Sequence, residues 1–378
     1  MSHKPGHFDG LDLVRILACA LVLLNHLAVF SFQGVGITPA TGDEAFPILA
    51  PFADVGAVGV QIFFVISGFV ISFSSMRTSP SGFILNRAAR ILPTLWLCAL
   101  IALVARLATE GVSSALFFAF AKSAVLSPIG PYIDGVVWTL VVEAAFYILV
   151  FLVMWRFQVS PRALLRLALA LSLASGAFVA LSAGVKLAGS EAFAGGYFAI
   201  AERFWFKVAL LRHGVFFACG IVLWAIAAGH IGRSGWLWLA VLIALGLMEI
   251  AGFAHDPGVG LASAAVWFAG LALIVISVLF SPAIHRALSP VLRVTRELGN
   301  LSYPLYLNHY VLGAAITPPL FALLGPGWAL AGVLFILVGS SLMISLFVEK
   351  PLQSGFKALF AGDAGRPGRP LPVAGSRS

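Results

Sequence analysis

The chain has 378 residues, of which 61% are hydrophobic and only 10% are charged. A soluble globular protein carries about 45–50% apolar and about 25% charged residues, so this composition excludes an ordinary soluble fold. The formal net charge is +8. Most basic residues lie between apolar segments, where they indicate membrane topology and not nucleic-acid binding.

The apolar segments are long and unbroken, and they lack the alternation of barrel strands. They predict an all-α polytopic membrane bundle, because lipid offers no partners to backbone polar groups. A crossing needs about 20 apolar residues, which gives about ten transmembrane helices. The predicted spans are 11–32, 53–75, 91–109, 136–155, 164–185, 204–228, 235–253, 259–280, 300–323 and 328–348. Segment 113–127 is short and carries Lys122, so we assign it to an interfacial or re-entrant position.

The positive-inside rule places both termini in the cytoplasm, since most of the 23 basic residues then lie on that side. The exceptions are Arg106, Lys122, Lys186, Arg203, Lys207 and Arg212. The first apolar segment has no clear cleavage site of small residues, so we predict a retained helix and not a signal peptide. Residues 353–378 are rich in Gly, Pro and Arg and are predicted to form a disordered basic cytoplasmic tail. Cys19, Cys98 and Cys219 are dispersed and odd in number, which favours neither disulfides nor a metal site.

The first predicted span carries the ionisable residues Arg15 and His26, and such residues usually face a bundle interior or a wet cavity. They are eleven positions apart, which places both on one helix face and ~16 Å apart along the axis. Two interpretations stay open: a snorkelling arginine with a satisfied core histidine, or an anion-binding arginine below a catalytic base. Asp12, three residues before Arg15, is positioned to pair with it.

The following polar residues also allow a structural or a functional interpretation. The second span contains small residues that favour close helix packing at least as much as a direct role: Gly56, Gly59, Ser67 and Gly68. Arg87 and Arg90 are three residues apart, and they are either ordinary cytoplasmic charges or a site for phosphates.

Three later spans each carry ionisable residues that need a partner in an apolar environment. Glu143 and Tyr147 share a face of the fourth span, and Glu143 belongs either to a structural ion pair or to an active site. Arg212 in the sixth span is expected to pair with Glu143 or with a ligand. Tyr306 and His309 share a face of the ninth span, where a satisfied core histidine is as good an interpretation as a functional one.

Six segments in a fixed order resemble the acyltransferase-3 family, bacterial integral-membrane enzymes that modify O-antigens, exopolysaccharides, Nod factors, peptidoglycan and some macrolides. The segments are DGLDLVRILACALVLLNH, GAVGVQIFFVISGF, NRAARILP, WTLVVEAAFY, LGNLSYPLYLNH and VEKP. The resemblance implies a membrane domain over residues 1–352, located in the bacterial inner (cytoplasmic) membrane. It also implies transfer of an acyl group, usually acetyl, from cytoplasmic acyl-CoA to a hydroxyl of a surface or exported carbohydrate.

The family's Arg-x10-His motif maps onto Arg15 and His26, and a second motif maps onto Trp138, Glu143 and Tyr147. On this basis His26 is predicted to be the general base, with Arg15 and Glu143 completing the catalytic group. The predicted acyl-CoA contacts are Arg87, Arg90 and Ser67. The predicted substrate or oxyanion contacts are Arg212, Tyr303, His309, Trp138 and Tyr147.

No metal site and no permanently bound cofactor are predicted, because acyl-CoA, with acetyl-CoA preferred, acts as the donor substrate. The predicted partners are acyl-CoA, a carbohydrate or glycolipid acceptor and the lipid bilayer, without nucleic acid and with homo-oligomerisation left open.

Direct transfer and a two-step route through acylated His26, His309 or Ser67 are both compatible with the sequence. The alternative function is a secondary transporter that uses the buried His, Glu and Arg as a proton or anion relay. A third is a flippase-like carbohydrate- or lipid-binding protein without chemistry.

Overall fold

Helices account for 86% of the structure, and the residues that it describes contain no β-strand. The computed structural model describes residues 7–29, 45–157 and 159–360. The helices are α1 (Asp9–Ala28), α2 (Gly59–Ser75), α3 (Pro80–Glu110), α4 (Ser114–Ala124), α5 (Val137–Phe157), α6 (Pro161–Ala188), α7 (Glu191–Ala201), α8 (Phe204–Val208), α9 (Gly214–Ala227), α10 (Arg233–Gly252), α11 (Pro257–Leu279), α12 (Ser281–Ala287), α13 (Leu292–Met343) and α14 (Lys350–Phe360). Shorter 3₁₀ segments cover Pro47–Phe52, Val55–Val58 and Ser289–Val291, and a π-helical segment covers Ile344–Glu349.

Nine helical segments within the described ranges are long and apolar enough to cross a membrane. The predicted all-α polytopic bundle is therefore confirmed. The long helix α13 contributes to two of these segments, Ser289–Gly325 and Gly327–Leu359, because Gly325 adopts a φ of 72° and breaks the helix there. α4 has 11 residues, fewer than the ~20 needed to cross, in keeping with the interfacial or re-entrant interpretation of segment 113–127.

The predicted span 204–228 is wrong as a continuous helix. α8 ends at Val208, Leu210 adopts a φ of 58°, and α9 begins only at Gly214. The Ser175 hydroxyl of α6 accepts a hydrogen bond from the Val215 amide at 3.1 Å and so satisfies one donor of the new N-terminus. Residues 214–225 of α9 are all buried by other parts of the protein and not by lipid. A helix that is surrounded by protein in this way can be apolar on every side.

α2 occupies the centre of the bundle. In its most apolar 18-residue window 72% of the residues are buried, against at most 56% in any other candidate span. A Cβ at Gly59 would contact the carbonyl oxygen of Ala18 in α1, and a Cβ at Gly68 would contact that of Phe217 in α9. These glycines bring three helix backbones together, so the packing role predicted for them is confirmed.

The C-terminal helix corrects the boundary of the predicted tail. α14 extends to Phe360, so residues 353–360 are helical, and the remainder of the tail lies outside the described residues. The buried Phe356 explains this boundary, because its ring packs against Trp96 of α3 with a centroid distance of 6.0 Å. Cys19, Cys98 and Cys219 are free and buried, as their positions predict.

The glycine contact between α2 and α9 is tested by Gly68→Ala. The added methyl group meets the Phe217 backbone, so we expect a loss of about 1–3 kcal/mol from overpacking. The measurement is the Tm of the purified protein in detergent. The matched control is Gly184→Ala in α6, where no atom lies within 4 Å of the new Cβ. Equal Tm values for the two variants would contradict the tight crossing.

Candidate active site at the junction of two cavities

Two cavities follow one another along the same four helices, α1, α2, α5 and α13. One has a volume of about 300 Å³ and is lined by Arg15, Arg87 and Arg90; we call it the arginine cavity. The other has a volume of about 350 Å³ and is lined by His26; we call it the histidine cavity. α1 thus contributes Arg15 to one cavity and His26 to the other, as their common face predicts.

Ion pairs fix the N-terminal end of α1 beside the arginine cavity. Arg15 Nη1 donates to Asp12 Oδ1 at 3.0 Å, which confirms the predicted pair, and the other carboxylate oxygen of Asp12 lies 2.5 Å from His7 Nε2. Asp9 accepts a hydrogen bond from Arg296 Nε at 2.8 Å. This contact ties α1 to α13, so the helices that line the cavities are joined at one end by charge.

The arginine cavity carries an excess of positive charge. Arg15, Arg87 and Arg90 line it, and Glu143 is the one carboxylate among the described residues of its wall. Arg87 Nε is buried without a hydrogen-bond partner in the described part of the chain. Guanidinium groups match phosphate oxygens in both geometry and charge, so this cavity is suited to a polyanionic ligand.

Glu143 lies in the arginine cavity, where α2 and α5 meet. Its Oε1 accepts hydrogen bonds from Ser67 Oγ and, at 2.6 Å, from the Tyr147 hydroxyl. Of the two partners expected for Arg212, Glu143 is therefore excluded, because Arg212 lines the other cavity. His26 lines that cavity too, so Glu143 is not the group that orients it. A catalytic role for Glu143 stays a prediction, now on the arginine side.

His26 is oriented by a second histidine. His309 Nδ1 lies 2.8 Å from the carbonyl oxygen of Tyr306 and 3.2 Å from that of Leu305, and carbonyls only accept, so this nitrogen carries the proton. The Nε2 of a neutral His309 is then an acceptor, and it lies 2.7 Å from His26 Nδ1. His26 Nδ1 must therefore donate, which leaves the lone pair of His26 on Nε2. An imidazole in this tautomer is prepared to take a proton from a ligand in the histidine cavity.

Several polar atoms around His26 have no hydrogen-bond partner within the described residues. They are Asn25 Oδ1, Gln61 Oε1 and both ring nitrogens of His213, and all three residues line the histidine cavity. Buried polar atoms are nearly always paired in native proteins. Unpaired donors and acceptors around one cavity indicate a ligand with several hydroxyl groups, since a hydroxyl can both donate and accept.

Val60 and Tyr306 line both cavities, and they form the junction between them. Thr139 Oγ1 donates to the carbonyl oxygen of Val136 at 2.8 Å, so the Tyr306 hydroxyl is the donor in its 2.9 Å contact with Thr139 Oγ1. This buried hydrogen bond joins α5 to α13. The junction is thus lined by one aromatic ring and one aliphatic side chain.

Arg212 is held by a carboxylate that the sequence analysis did not consider. Its Nε donates to Glu249 Oε1 of α10 at 2.8 Å, and Glu249 is buried. The sequence could have indicated this partner, because Glu249 is the single acid in the predicted span 235–253. Lys207 and Gln61 were also missed as lining residues. Lys207 was visible only as one of the exceptions to the positive-inside rule.

The predicted site residues divide between the two cavities, apart from His309, which contacts His26. The arginine cavity is lined by Arg15, Ser67, Arg87, Arg90, Glu143, Tyr147 and Tyr303. The histidine cavity is lined by His26, Trp138 and Arg212. Tyr147 and Tyr303, which were predicted to contact a substrate or the oxyanion, both lie on the arginine side. The Tyr303 hydroxyl donates to the Ile91 carbonyl oxygen at 2.9 Å.

A sequence profile of the acyltransferase domain matches residues 8–347 of this chain. The chain belongs to the acyltransferase-3 family. This family membership agrees with the extent of the membrane bundle, which carries both cavities.

Three curated proteins are similar to parts of this acyltransferase-3 chain. Nodulation protein 10 of Rhizobium leguminosarum bv. viciae is 31% identical over 180 residues, which cover 41% of this chain and 47% of that protein. The exopolysaccharide production protein ExoZ of Rhizobium meliloti (strain 1021) is 40% identical over 105 residues, 25% of this chain and 32% of that protein. An O-acetyl transferase of Shigella phage Sf6 is 35% identical over 100 residues, 26% of each chain. The chain spans less than half the length of each relative, and no solved structure matches it.

The ion pair between Arg212 and Glu249 is tested by Glu249→Leu. The change leaves a partly buried guanidinium without its carboxylate, so we expect a loss of about 3–5 kcal/mol. The double variant Arg212→Met/Glu249→Leu removes both charges and is expected to recover most of that loss. Thermal unfolding in detergent measures both. A single variant as stable as the double variant would contradict a structural pair.

Proposed function

We propose that this acyltransferase-3 protein is a membrane acyltransferase that moves an acyl group from acyl-CoA to a hydroxyl of a carbohydrate, with His26 as the general base. The contact between His26 Nδ1 and His309 Nε2 at 2.7 Å carries the proposal, because it leaves His26 Nε2 unprotonated at the histidine cavity. Neutral imidazole is the most common general base in enzymes.

The arginine cavity is the proposed donor site. Arg87, Arg90 and Arg15 bind the phosphates of CoA, and the pantetheine arm extends along α1 toward the junction. Arg15 and His26 lie ~16 Å apart along the helix axis. That separation suits a ligand with anionic groups at one end and a thioester at the other. The acyl group then lies at Val60 and Tyr306, within reach of a base in the neighbouring cavity.

The histidine cavity is the proposed acceptor site. The unpaired oxygens of Asn25 and Gln61 accept hydrogen bonds from sugar hydroxyls and orient the reacting hydroxyl toward His26. The relatives named for nodulation, exopolysaccharide production and O-acetyl transfer support a carbohydrate acceptor and an acetyl group.

The proposed reaction is a direct transfer. His26 Nε2 takes the proton of the acceptor hydroxyl while the hydroxyl oxygen attacks the thioester carbonyl carbon. The tetrahedral intermediate collapses, the carbon–sulfur bond breaks, and His26 returns the proton to the departing CoA thiolate. His309 accepts the His26 Nδ1 hydrogen bond throughout, so it is a positioning residue that fixes the tautomer and stabilises the imidazolium.

We further propose that the arginine cavity opens to the cytoplasm in the bacterial inner membrane, where acyl-CoA is made. Arg77, Arg87 and Arg90 near this cavity support this orientation under the positive-inside rule. The histidine cavity then opens toward the outer face, where exported glycans are available.

The histidine pair is tested by CoA release from purified protein in lipid, with a surface-glycan extract as acceptor. We expect His26→Ala to lower acceptor-dependent kcat by about 10²–10⁴-fold, the range for a lost general base. His309→Leu cannot accept the His26 hydrogen bond, so we expect kcat to fall about 10–100-fold with an unchanged KM for acyl-CoA. His309→Gln restores an acceptor and is expected to regain part of that loss.

Three outcomes would contradict parts of this proposal. Full activity of a folded His26→Ala variant would exclude His26 as the base. An acylated Ser67 or histidine, found by mass spectrometry after exposure to acyl-CoA without acceptor, would replace direct transfer by a two-step route. A failure of acetyl-, succinyl- and longer acyl-CoA donors to release CoA would favour the secondary transporter.

The donor site is tested by Arg90→Gln. We expect the KM for acyl-CoA to rise about 10- to 100-fold, because a hydrogen bond to a charged group contributes about 1.5–3 kcal/mol, while kcat changes little. Arg77→Gln is the matched control, since Arg77 stacks on the Phe73 ring at 4.1 Å and is absent from the described cavity wall. If both variants bind CoA equally well in a calorimetric titration, the donor phosphates are not bound in the arginine cavity.

A further inference from the structure

Two cations line the histidine cavity, on the side that the proposed function assigns to the acceptor. They are Lys207 of α8 and Arg212 of the turn before α9. No carboxylate belongs to the described wall of this cavity. General-base catalysis by His26 does not use Lys207, and the ion pair with Glu249 accounts for only one of the two positive charges.

Lys207 differs from the other lysines of the apolar helices. Lys122 Nζ donates to the Gly130 carbonyl oxygen at 2.6 Å, and Lys186 Nζ donates to that of Ala254 at 2.7 Å. Lys207 has no hydrogen-bond acceptor of this kind in the parts of the chain that the structure describes. Its Nζ lies 4.6 Å from the centroid of the Trp138 ring, which faces the same cavity. A cation–π contact positions an ammonium group but leaves its N–H donors free for an anion.

Arg212, like Lys207, lies over an aromatic ring. Glu249 accepts only from its Nε, and the guanidinium carbon lies 4.0 Å from the centroid of the Phe253 ring. No hydrogen bond of its Nη groups is found within the described residues, and Arg212 lines the cavity. Glu249 neutralises the positive charge of Arg212. Lys207 and Arg212 together therefore leave a net charge of about one positive unit in the wall of the cavity.

The histidine cavity combines positive charge, unpaired amide oxygens and an imidazole base, and each of these groups favours a different part of a ligand. The Asn25 and Gln61 oxygens recognise hydroxyl groups, and a neutral sugar would satisfy them completely. A neutral sugar would leave Lys207 partly desolvated without an acceptor, which is costly. A carboxylate or phosphate on the same ligand supplies that acceptor through charge-assisted hydrogen bonds.

We infer that the acceptor of this protein is an anionic glycan, whose carboxylate or phosphate is bound by Lys207 and Arg212 while a nearby hydroxyl is presented to His26. This inference rests on the proposed function and specifies its acceptor class. Recognition of the anion holds the glycan in the histidine cavity, and His26 Nε2 selects the hydroxyl that is acylated.

The experiment uses the full-length protein in lipid vesicles, labelled acetyl-CoA, and surface glycans extracted from the cells that make the protein. One portion of the extract is untreated, one has its carboxylates reduced to alcohols, and one has its phosphates removed with hydrofluoric acid. For the wild type we expect one treatment to lower acyl transfer by about tenfold or more, the effect of one charge-assisted hydrogen bond. The effective treatment identifies the anion as a carboxylate or a phosphate.

Lys207→Gln provides the second comparison. We expect about tenfold less transfer to the untreated glycans, the same KM for acetyl-CoA as the wild type, and little discrimination between treated and untreated glycans. Lys357→Gln is the matched control, because Lys357 is exposed on α14 and is expected to leave transfer and discrimination unchanged.

The outcomes separate this inference from the proposed function. Equal transfer by the wild type to all three glycan preparations would overturn the inference and leave the acyltransferase proposal standing, and this comparison needs no variant. Discrimination that persists undiminished in Lys207→Gln would also overturn it, because the anion would then be recognised elsewhere. Absence of CoA release by the wild type with untreated glycans would remove the proposed function, and the inference with it.

Discussion

The close approach of helix backbones at the glycines of α2 is the constraint on which the rest of the structure depends. Gly59 brings α2 against α1, and Gly68 brings it against α9. With α2 held at this depth, Ser67 lies beside Glu143 of α5 on one side of the bundle, and Gln61 lies at the histidine cavity on the other. Lipid supplies little driving force for helix association, so close packing of small residues takes the place of the hydrophobic effect.

Polar groups inside the bundle are satisfied in two different ways, and the difference separates scaffold from site. Asp9 with Arg296, and Arg212 with Glu249, are ion pairs that join distant helices. The His26–His309 contact also joins distant helices, α1 and α13. Here, however, the second imidazole nitrogen of His26, Nε2, has no partner among the described residues. Unpaired polar atoms of Asn25, Gln61 and His213 lie at the same cavity as His26, where a ligand can complete their hydrogen bonds.

Much of the local structure was predictable from the sequence, and most long-range contacts were not. The three-residue spacing of Asp12 and Arg15 predicted their ion pair, because neighbours on a helix face are fixed by helix geometry. His26 and His309 were each noticed as polar residues in a span, yet 283 positions separate them and no local pattern encodes their contact. The partner of Arg212 was misassigned for the same reason. The prediction of one continuous span over residues 204–228 failed because an apolar segment has the same composition whether lipid or protein surrounds it.

The junction between the cavities bears on the choice between enzyme and transporter. A transporter must open a passage wide enough for its whole substrate, whereas acyl transfer requires only that the thioester carbon and one hydroxyl oxygen meet. Here the cavities share Val60 and Tyr306, and the Tyr306 hydroxyl is bonded to Thr139 across the junction. In the proposed reaction the donor and the acceptor occupy separate cavities, and only the thioester carbon and one hydroxyl oxygen have to meet, at Val60 and Tyr306. Two cavities that meet at Val60 and Tyr306 suit the proposed group transfer between two substrates that enter from different sides of the bundle.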